Sequence, residues 1–333
     1  MFNVPYFISS AIVQGTPLLF GSTGEILTEK SGNLNLGIPG IMYIGAISGV
    51  IGGYFYQEGG SISPVGAVLI PLICCLIGSG LASLLYCFLT VTLRANQNVT
   101  GLALTTFGVG FGNFFGGSLI KLTKTAADGE MLMGTASLSL RRLAKYYNAS
   151  LPFAKKLGWF GEIFLSHGFM VYLAIVLAIV VAIVLKKTRI GLQLRAVGEN
   201  AATADAAGIN VTLYKYVSTC IGGAIAGLGG LEFVMAYSNG GWDNGSFGDR
   251  GWLAIALVIF AMWKPIVGMF GSYLFGGLYI LDANLTIGTT WTPLFQMLPY
   301  VVTILVLIIT SMRRKRENQP PASLGLAYFR EER

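Results

Sequence analysis

The chain has 333 residues, of which 54% are hydrophobic and 11% charged, and its mean hydropathy is +0.67. A soluble domain carries about a quarter charged residues, so this composition excludes a soluble enzyme and indicates a membrane protein. The net charge of +7 does not indicate nucleic acid, because the basic residues flank apolar spans instead of forming a polar basic surface.

A helix needs about 20 apolar residues to cross the hydrocarbon core. In chain order the candidate spans are 6–27, 36–56, 65–93, 98–120, 164–185, 214–236, 251–263, 266–282 and 294–312. They predict an all-α polytopic membrane helix bundle of about eight to ten spans. The start, MFNVPYFISS, lacks a basic region and is read as a retained span, not a signal peptide. The transmembrane domain is expected over 1–312, with an external loop at 121–163, a second polar loop at 186–213 and a basic tail at 313–333. Small residues four apart (Gly45/Gly49/Gly53, Gly112/Gly116, Gly223/Gly227) predict close helix contacts. Cys74, Cys75, Cys87 and Cys220 lie in apolar runs and read as small hydrophobic residues. His167, the single histidine, reads as an interfacial structural residue.

Two stretches interrupt the spans. Gly21–Gly40 (GSTGEILTEKSGNLNLGIPG) brings Glu25, Glu29, Lys30, Asn33 and Asn35 directly before an apolar span. Non-helical backbone at membrane depth is tolerated only inside protein or along a watery cavity, so broken segments point to a transport pathway. The alternative is an ordinary polar loop. A second break, Trp263–Gly277, lies in the other half, where Lys264-Pro265 splits two short spans into a hairpin or one broken element.

The segment RAVGENAATADAAGI (Arg195–Ile209) is an alanine-rich helix candidate. Asn200 suits its N-cap and Gly208 its left-handed end. Two turns are marginal alone in water, so the helix needs support from the flanking spans and a docked partner. Ala201, Ala204 and Ala207–Gly208 are expected to form a smooth docking face; a plain solvated loop is the alternative. Placing this loop inside the cell puts most basic residues there, as the positive-inside rule requires. The exceptions are Arg250 and seven residues within 121–163, read as a folded external element. No G-x-x-x-x-G-K-[ST] phosphate loop, H-E-x-x-H or G-x-S-x-G occurs, so any uphill work must be powered by a partner or an ion gradient.

The Arg195–Ile209 pattern, R-A-V-G-E-N…A-G-I, resembles the coupling segment of permease subunits in ABC importers for simple sugars, nucleosides and branched-chain amino acids. GEILTEKSGNLNLGIPG resembles the nucleoside-type branch through Gly24, Glu25, Glu29, Lys30, Gly32, Asn35, Gly37 and Gly40, and Leu298–Leu307 resembles its last span. Pro39 departs from that branch, which frequently carries an acidic residue there. The resemblance implies a type II importer permease fold with broken helices and no catalytic residue, metal or cofactor of its own. ATP and magnesium would be held by a partner ABC ATPase subunit. Further implied partners are a second permease chain in a hetero- or homodimer, an external substrate-binding lipoprotein and the lipid bilayer, with no nucleic acid. The expected location is the bacterial cytoplasmic membrane, with 186–213 and the C-terminus in the cytoplasm. Coupling would use Arg195, Gly198, Glu199, Asn200, Ala204, Ala207 and Gly208. Glu25, Asn33, Asn35, Phe107 and Asn113 are the candidate pathway residues, since amides and an aromatic ring suit a neutral polar solute such as a nucleoside. The 121–163 loop, through Lys155 and Lys156, and Tyr237–Arg250 with Trp242 and Asp243 are expected to receive the lipoprotein. A ribose-like sugar is the alternative cargo. An ion-coupled secondary transporter using Glu25, Glu232 or Asp282 is the rival class.

Overall fold

The computed structural model describes residues 4–60, 62–128, 138–150, 158–281, 294–295, 297–313 and 319–330. Lys155, Lys156 and Asp282 lie outside them. The helices are α1 (Val4–Glu29), α2 (Ile38–Glu58), α3 (Pro64–Cys87), α4 (Gln97–Asp128), α5 (Arg141–Tyr147), α6 (Gly158–Phe164), α7 (Phe169–Lys187), α8 (Arg189–Glu199), α9 (Ala201–Ala206), α10 (Val211–Glu232), α11 (Arg250–Phe260), α12 (Pro265–Tyr279) and α13 (Leu298–Arg313). Helices α3 and α10 each continue as a five-residue π-helix, Phe88–Thr92 and Phe233–Tyr237. A two-residue antiparallel pair joins β1 (Leu138–Ser139) to β2 (Gly241–Trp242).

Burial divides the helices into an inner and an outer set. Helix α1 is buried from Gln14 to Glu29 and packs against α10, α12, α11 and α7. The apolar windows of α2 and α10 are 72% and 78% buried, whereas those of α3 and α7 are only 28% and 33% buried. Among the described residues these four helices are long and apolar enough to cross a bilayer. Helix α1 carries Gln14, Thr16, Ser22, Thr23, Glu25, Thr28 and Glu29, all buried. Protein surrounds it, so these polar groups meet neighbours instead of lipid. Helix α3 does the opposite: Val65, Leu69, Ile73, Ile77, Leu81, Leu84 and Phe88 form an exposed stripe at helical spacing.

The inner helices approach closely at glycines. A Cβ on Gly24 would lie 2.1 Å from the Gly222 carbonyl oxygen, and one on Gly45 would lie 2.7 Å from the Gly227 Cα. Of the predicted small-residue faces, Gly45 meets the Gly227 backbone, whereas Gly112 and Gly116 make room for the Tyr43 and Trp242 rings and Gly223 for the Ser83 side chain.

The two breaks are narrower than the sequence suggests. Gly21–Glu29 is continuous helix, and only residues 30–37 leave it. Gly21 and Gly24 serve packing there: a Cβ on Gly21 would sit 2.7 Å from that of Ala254. In the second break only 261–264 is non-helical, with Met262 and Trp263 at φ 52° and 55°. Gly271 then lies against Leu257 and Phe260, so α11 and α12 fold back on each other as a hairpin. At 1.5 Å per residue their 11 and 15 residues reach roughly 16 and 22 Å, short of a hydrocarbon core of about 30 Å.

The Tyr237–Arg250 loop turns Trp242, Phe247 and Arg250 inward and leaves most of its other residues exposed. Trp242 is buried against Tyr43 and Gly116, and Phe247 against Tyr43 and Phe233. Arg250 is buried under the rings of Phe233, Tyr237 and Tyr279 and donates to Gln14 Oε1 at 3.3 Å. Trp242 is therefore unavailable to a partner, while Asp243–Ser246 stays exposed.

Candidate functional site

Helix α8 starts where α7 ends. The Thr188 hydroxyl accepts the Gly191 N–H at 3.1 Å and caps α8. Gly191 allows the turn, since a Cβ there would lie 2.0 Å from the Val184 carbonyl oxygen. Lys186 and Lys187 occupy the last turn of α7, where positive charge complements the free carbonyls. The chain then breaks at Asn200, whose side-chain oxygen accepts the Thr203 N–H at 3.0 Å and starts α9. Gly208, at φ +82°, ends it in the left-handed conformation that glycine adopts without steric cost. Both cap assignments made from sequence hold.

The orientation of α9 differs from the expected one. Ala201 and Ala204 are buried and pack with Val197, Val211 and Tyr328. The open side consists of Ala202, Thr203, Ala206, Ala207 and Gly208. A short helix gains stability from tertiary packing, so the Ala201/Ala204 stripe turns toward the protein. Gly198 is likewise internal: a Cβ there would lie 2.3 Å from the Lys30 carbonyl oxygen. Arg195, Glu199 and Asn200 are exposed, with Arg195 Nε donating to the Gly191 carbonyl at 3.4 Å.

Through Gly198 the α8–α9 pair rests on the 30–37 turn, which is a buried polar knot. Asn33 donates to Thr219 Oγ1 at 3.0 Å, and the Asn35 N–H donates to Glu25 Oε1 at 3.1 Å. The Asn35 side-chain oxygen accepts the Gly37 N–H at 2.9 Å and closes the turn onto α2. The Leu34 N–H donates to Gln97 Oε1 at 2.7 Å, Thr105 donates to the Leu36 carbonyl at 2.7 Å, and the Tyr86 hydroxyl donates to the Leu34 carbonyl. Trp263 Nε1 donates to Glu29, which ties the second break to the first. Burial pulls the Lys30 ammonium below the usual lysine value, with the carboxylate of Glu199 opposing that shift.

The C-terminal segment 319–330 lies across this region, a placement the sequence did not signal. The Ser323 N–H donates to the Gly198 carbonyl at 2.9 Å and the Gly325 N–H to the Gly32 carbonyl at 3.1 Å. Tyr328 donates to Asp205 Oδ2 at 2.7 Å, and Arg330 Nε lies 3.3 Å from the same oxygen. Phe329 lies under the Arg94 guanidinium, 4.6 Å from ring centroid to Cζ.

The five candidate pathway residues do not converge on one cavity. Glu25, Asn33 and Asn35 are fully buried together in the knot. Phe107 is 54% exposed on α4 and lines an apolar groove of about 300 Å³ with Leu85, Leu89, Val99 and Ala103. Asn113 sits further along α4 with its side-chain oxygen enclosed and unpartnered. His167 has a partner that the sequence did not reveal: its Nε2 is 2.8 Å from the Ile163 carbonyl oxygen, in a buried position between α6 and α7.

Residues 7–307 match the family model described as the permease component of the branched-chain amino acid transport system. A nucleoside ABC transporter permease protein of Lactococcus lactis subsp. cremoris is 33% identical over 91% of each chain. A guanosine ABC transporter permease protein of Bacillus subtilis is 30% identical over 90% of each. A Haloferax volcanii protein named for glucose ABC transport is 31% identical over 97% of each. No solved structure matches. The inner bundle, the capped helix pair beside it and these matches agree: the chain belongs to this permease family and is a membrane-spanning subunit of an ABC transporter.

Proposed function

We propose that this subunit forms part of the path of an ATP-driven importer for a small polar solute, a nucleoside first, in the cytoplasmic membrane of a bacterium. The chain performs no covalent chemistry. ATP and magnesium are bound by a separate ATPase subunit, which grips the open side of α9. The carrying observation is the α8–α9 pair, capped at both starts, exposed along one side and wedged by Gly198 against the 30–37 turn. A push on α9 thus reaches α1, α4 and α10 through the side-chain hydrogen bonds of the 30–37 turn, and α2 through the chain that continues from it.

In this reading α8–α9 and the C-terminal segment face the cytoplasm, and a second permease chain covers part of the exposed apolar surface of α3 or α4. Substrate handed over by an external lipoprotein passes between the two chains as the bundles rock. Glu25, Asn33 and Asn35, sealed in the knot, act as the hinge of that motion, while the enclosed, unpartnered Asn113 side-chain oxygen becomes available to the permeant as the bundle opens. A simple sugar is the second reading, favoured by the similarity to the Haloferax volcanii protein.

Reconstitution of the chain with its ATPase, second permease and lipoprotein tests this. Uptake of radiolabelled guanosine that requires ATP and is competed by other nucleosides, but not by ribose or glucose, supports the first reading. Competition by sugars alone selects the second. Uptake by this chain alone, driven by an ion gradient, contradicts both.

A further inference from the structure

A recess of about 490 Å³ lies between the α9–α10 turn, the turn from α3 to α4 and the C-terminal segment, walled in part by Arg94, Asp205, Asn210, Thr212, Tyr328 and Arg330. Two guanidinium groups face one carboxylate there. Asp205 Oδ2 already takes the Tyr328 hydroxyl and Arg330 Nε, so the charged lining is cationic on balance. Arg94 is held at φ 58°, a left-handed conformation uncommon outside glycine, and its guanidinium is steadied over the Phe329 ring. Arg330 is 74% exposed and reaches the same opening. The segment that supplies Tyr328, Phe329 and Arg330 is fastened to the coupling region itself, through Gly198 and Gly32.

We propose that the C-terminal segment is part of the ATPase-docking surface, and that the recess it closes receives an acidic side chain of the ATPase between Arg94 and Arg330. The proposal rests on the assignment of α9 as the ATPase contact and adds an electrostatic contact beside that small-residue one. Charged contacts at an interface set on-rate, register and salt dependence, and they weaken as ionic strength rises.

The test measures binding of the purified ATPase to the full-length permease in nanodiscs at low and high salt. Arg94→Glu and Arg330→Glu are each expected to weaken binding at low salt by about tenfold and to flatten its salt dependence. Arg330→Gln, at an exposed position that folding tolerates, should show a smaller loss in the same direction. Ala206→Glu, on the open side of α9, should abolish binding at both salt levels. If the arginine variants keep wild-type affinity and salt slope while Ala206→Glu does not bind, this inference fails and the α9 assignment stands. If Ala206→Glu binds normally, the α9 assignment fails. If charge reversal changes only the preference for anionic lipid in the nanodisc, the recess serves a lipid surface and the proposal is overturned.

Discussion

The 30–37 turn and the α8–α9 pair are both polar, glycine-containing interruptions in an apolar chain, yet they meet their surroundings differently. Ser31, Asn33 and Asn35 are fully buried; the turn bonds to Thr219, Glu25, Gln97 and Thr105 and leaves Asn33 Oδ1 and Asn35 Nδ2 enclosed without a partner. The α9 helix buries Ala201 and Ala204 but leaves Ala202, Thr203, Ala206 and Ala207 open. Polarity in such a chain therefore marks release from lipid and says nothing about access. One interruption is enclosed and the other is open along one side, and Gly198 is where they touch.

The largest expected effect comes from separating them. Gly198→Val places side-chain atoms where a Cβ alone already lies 2.3 Å from backbone oxygen of Lys30, which cannot yield easily. A loss of at least about 1–3 kcal/mol is expected, read as a lower unfolding temperature of the detergent-purified permease.

A second comparison sets the two sides of α9 against each other. Ala204→Glu buries a charge against Val197, Val211 and Tyr328, so it should loosen α9 itself and speed amide exchange there. Ala206→Glu, on the open side, should keep stability within about 0.5 kcal/mol yet lose ATPase association. Equal effects of the two changes would mean that α9 has no distinct docking side.

Beside the enclosed turn, Trp263→Phe removes the donor that Glu29 accepts from and leaves a buried carboxylate oxygen unsatisfied. The expected cost is about 1–3 kcal/mol. Glu29→Gln retains an acceptor and should cost less, which separates the hydrogen bond from general packing.

The smallest effect concerns pH. Burial lowers the His167 pKa below its usual value near 6.5, so the folded chain favours neutral imidazole. The unfolded chain then takes up the proton first, and stability present above about pH 6.5 is lost as pH falls below it. His167→Gln should flatten that slope in thermal unfolding across pH 5 to 7.

Much of this was legible in the residues. Asn200 and Gly208 fixed the limits of α9 because capping and left-handed ends are local chemistry. Small residues four apart identified the close helix contacts. The extent of the first break was not legible, because Gly21 and Gly24 look like helix breakers and act as contact points for Ala254 and Gly222. Nor was the facing of α9: alanines line both sides, and only Val197, Val211 and Tyr328 decide which side turns in. The C-terminal segment escaped notice because its partners, Gly32, Gly198 and Asp205, lie more than a hundred positions away and leave no periodic trace.

The role proposed for the outer side of α9 is to carry force from an ATPase in the cytoplasm. The direct measurement is thiol labelling of an Ala206→Cys chain, with the native cysteines replaced, in sealed vesicles of both orientations. Labelling by an impermeant maleimide is expected only in inside-out vesicles, with protection when the ATPase is bound. Labelling from the outside, or undiminished labelling in the assembled transporter, would contradict it.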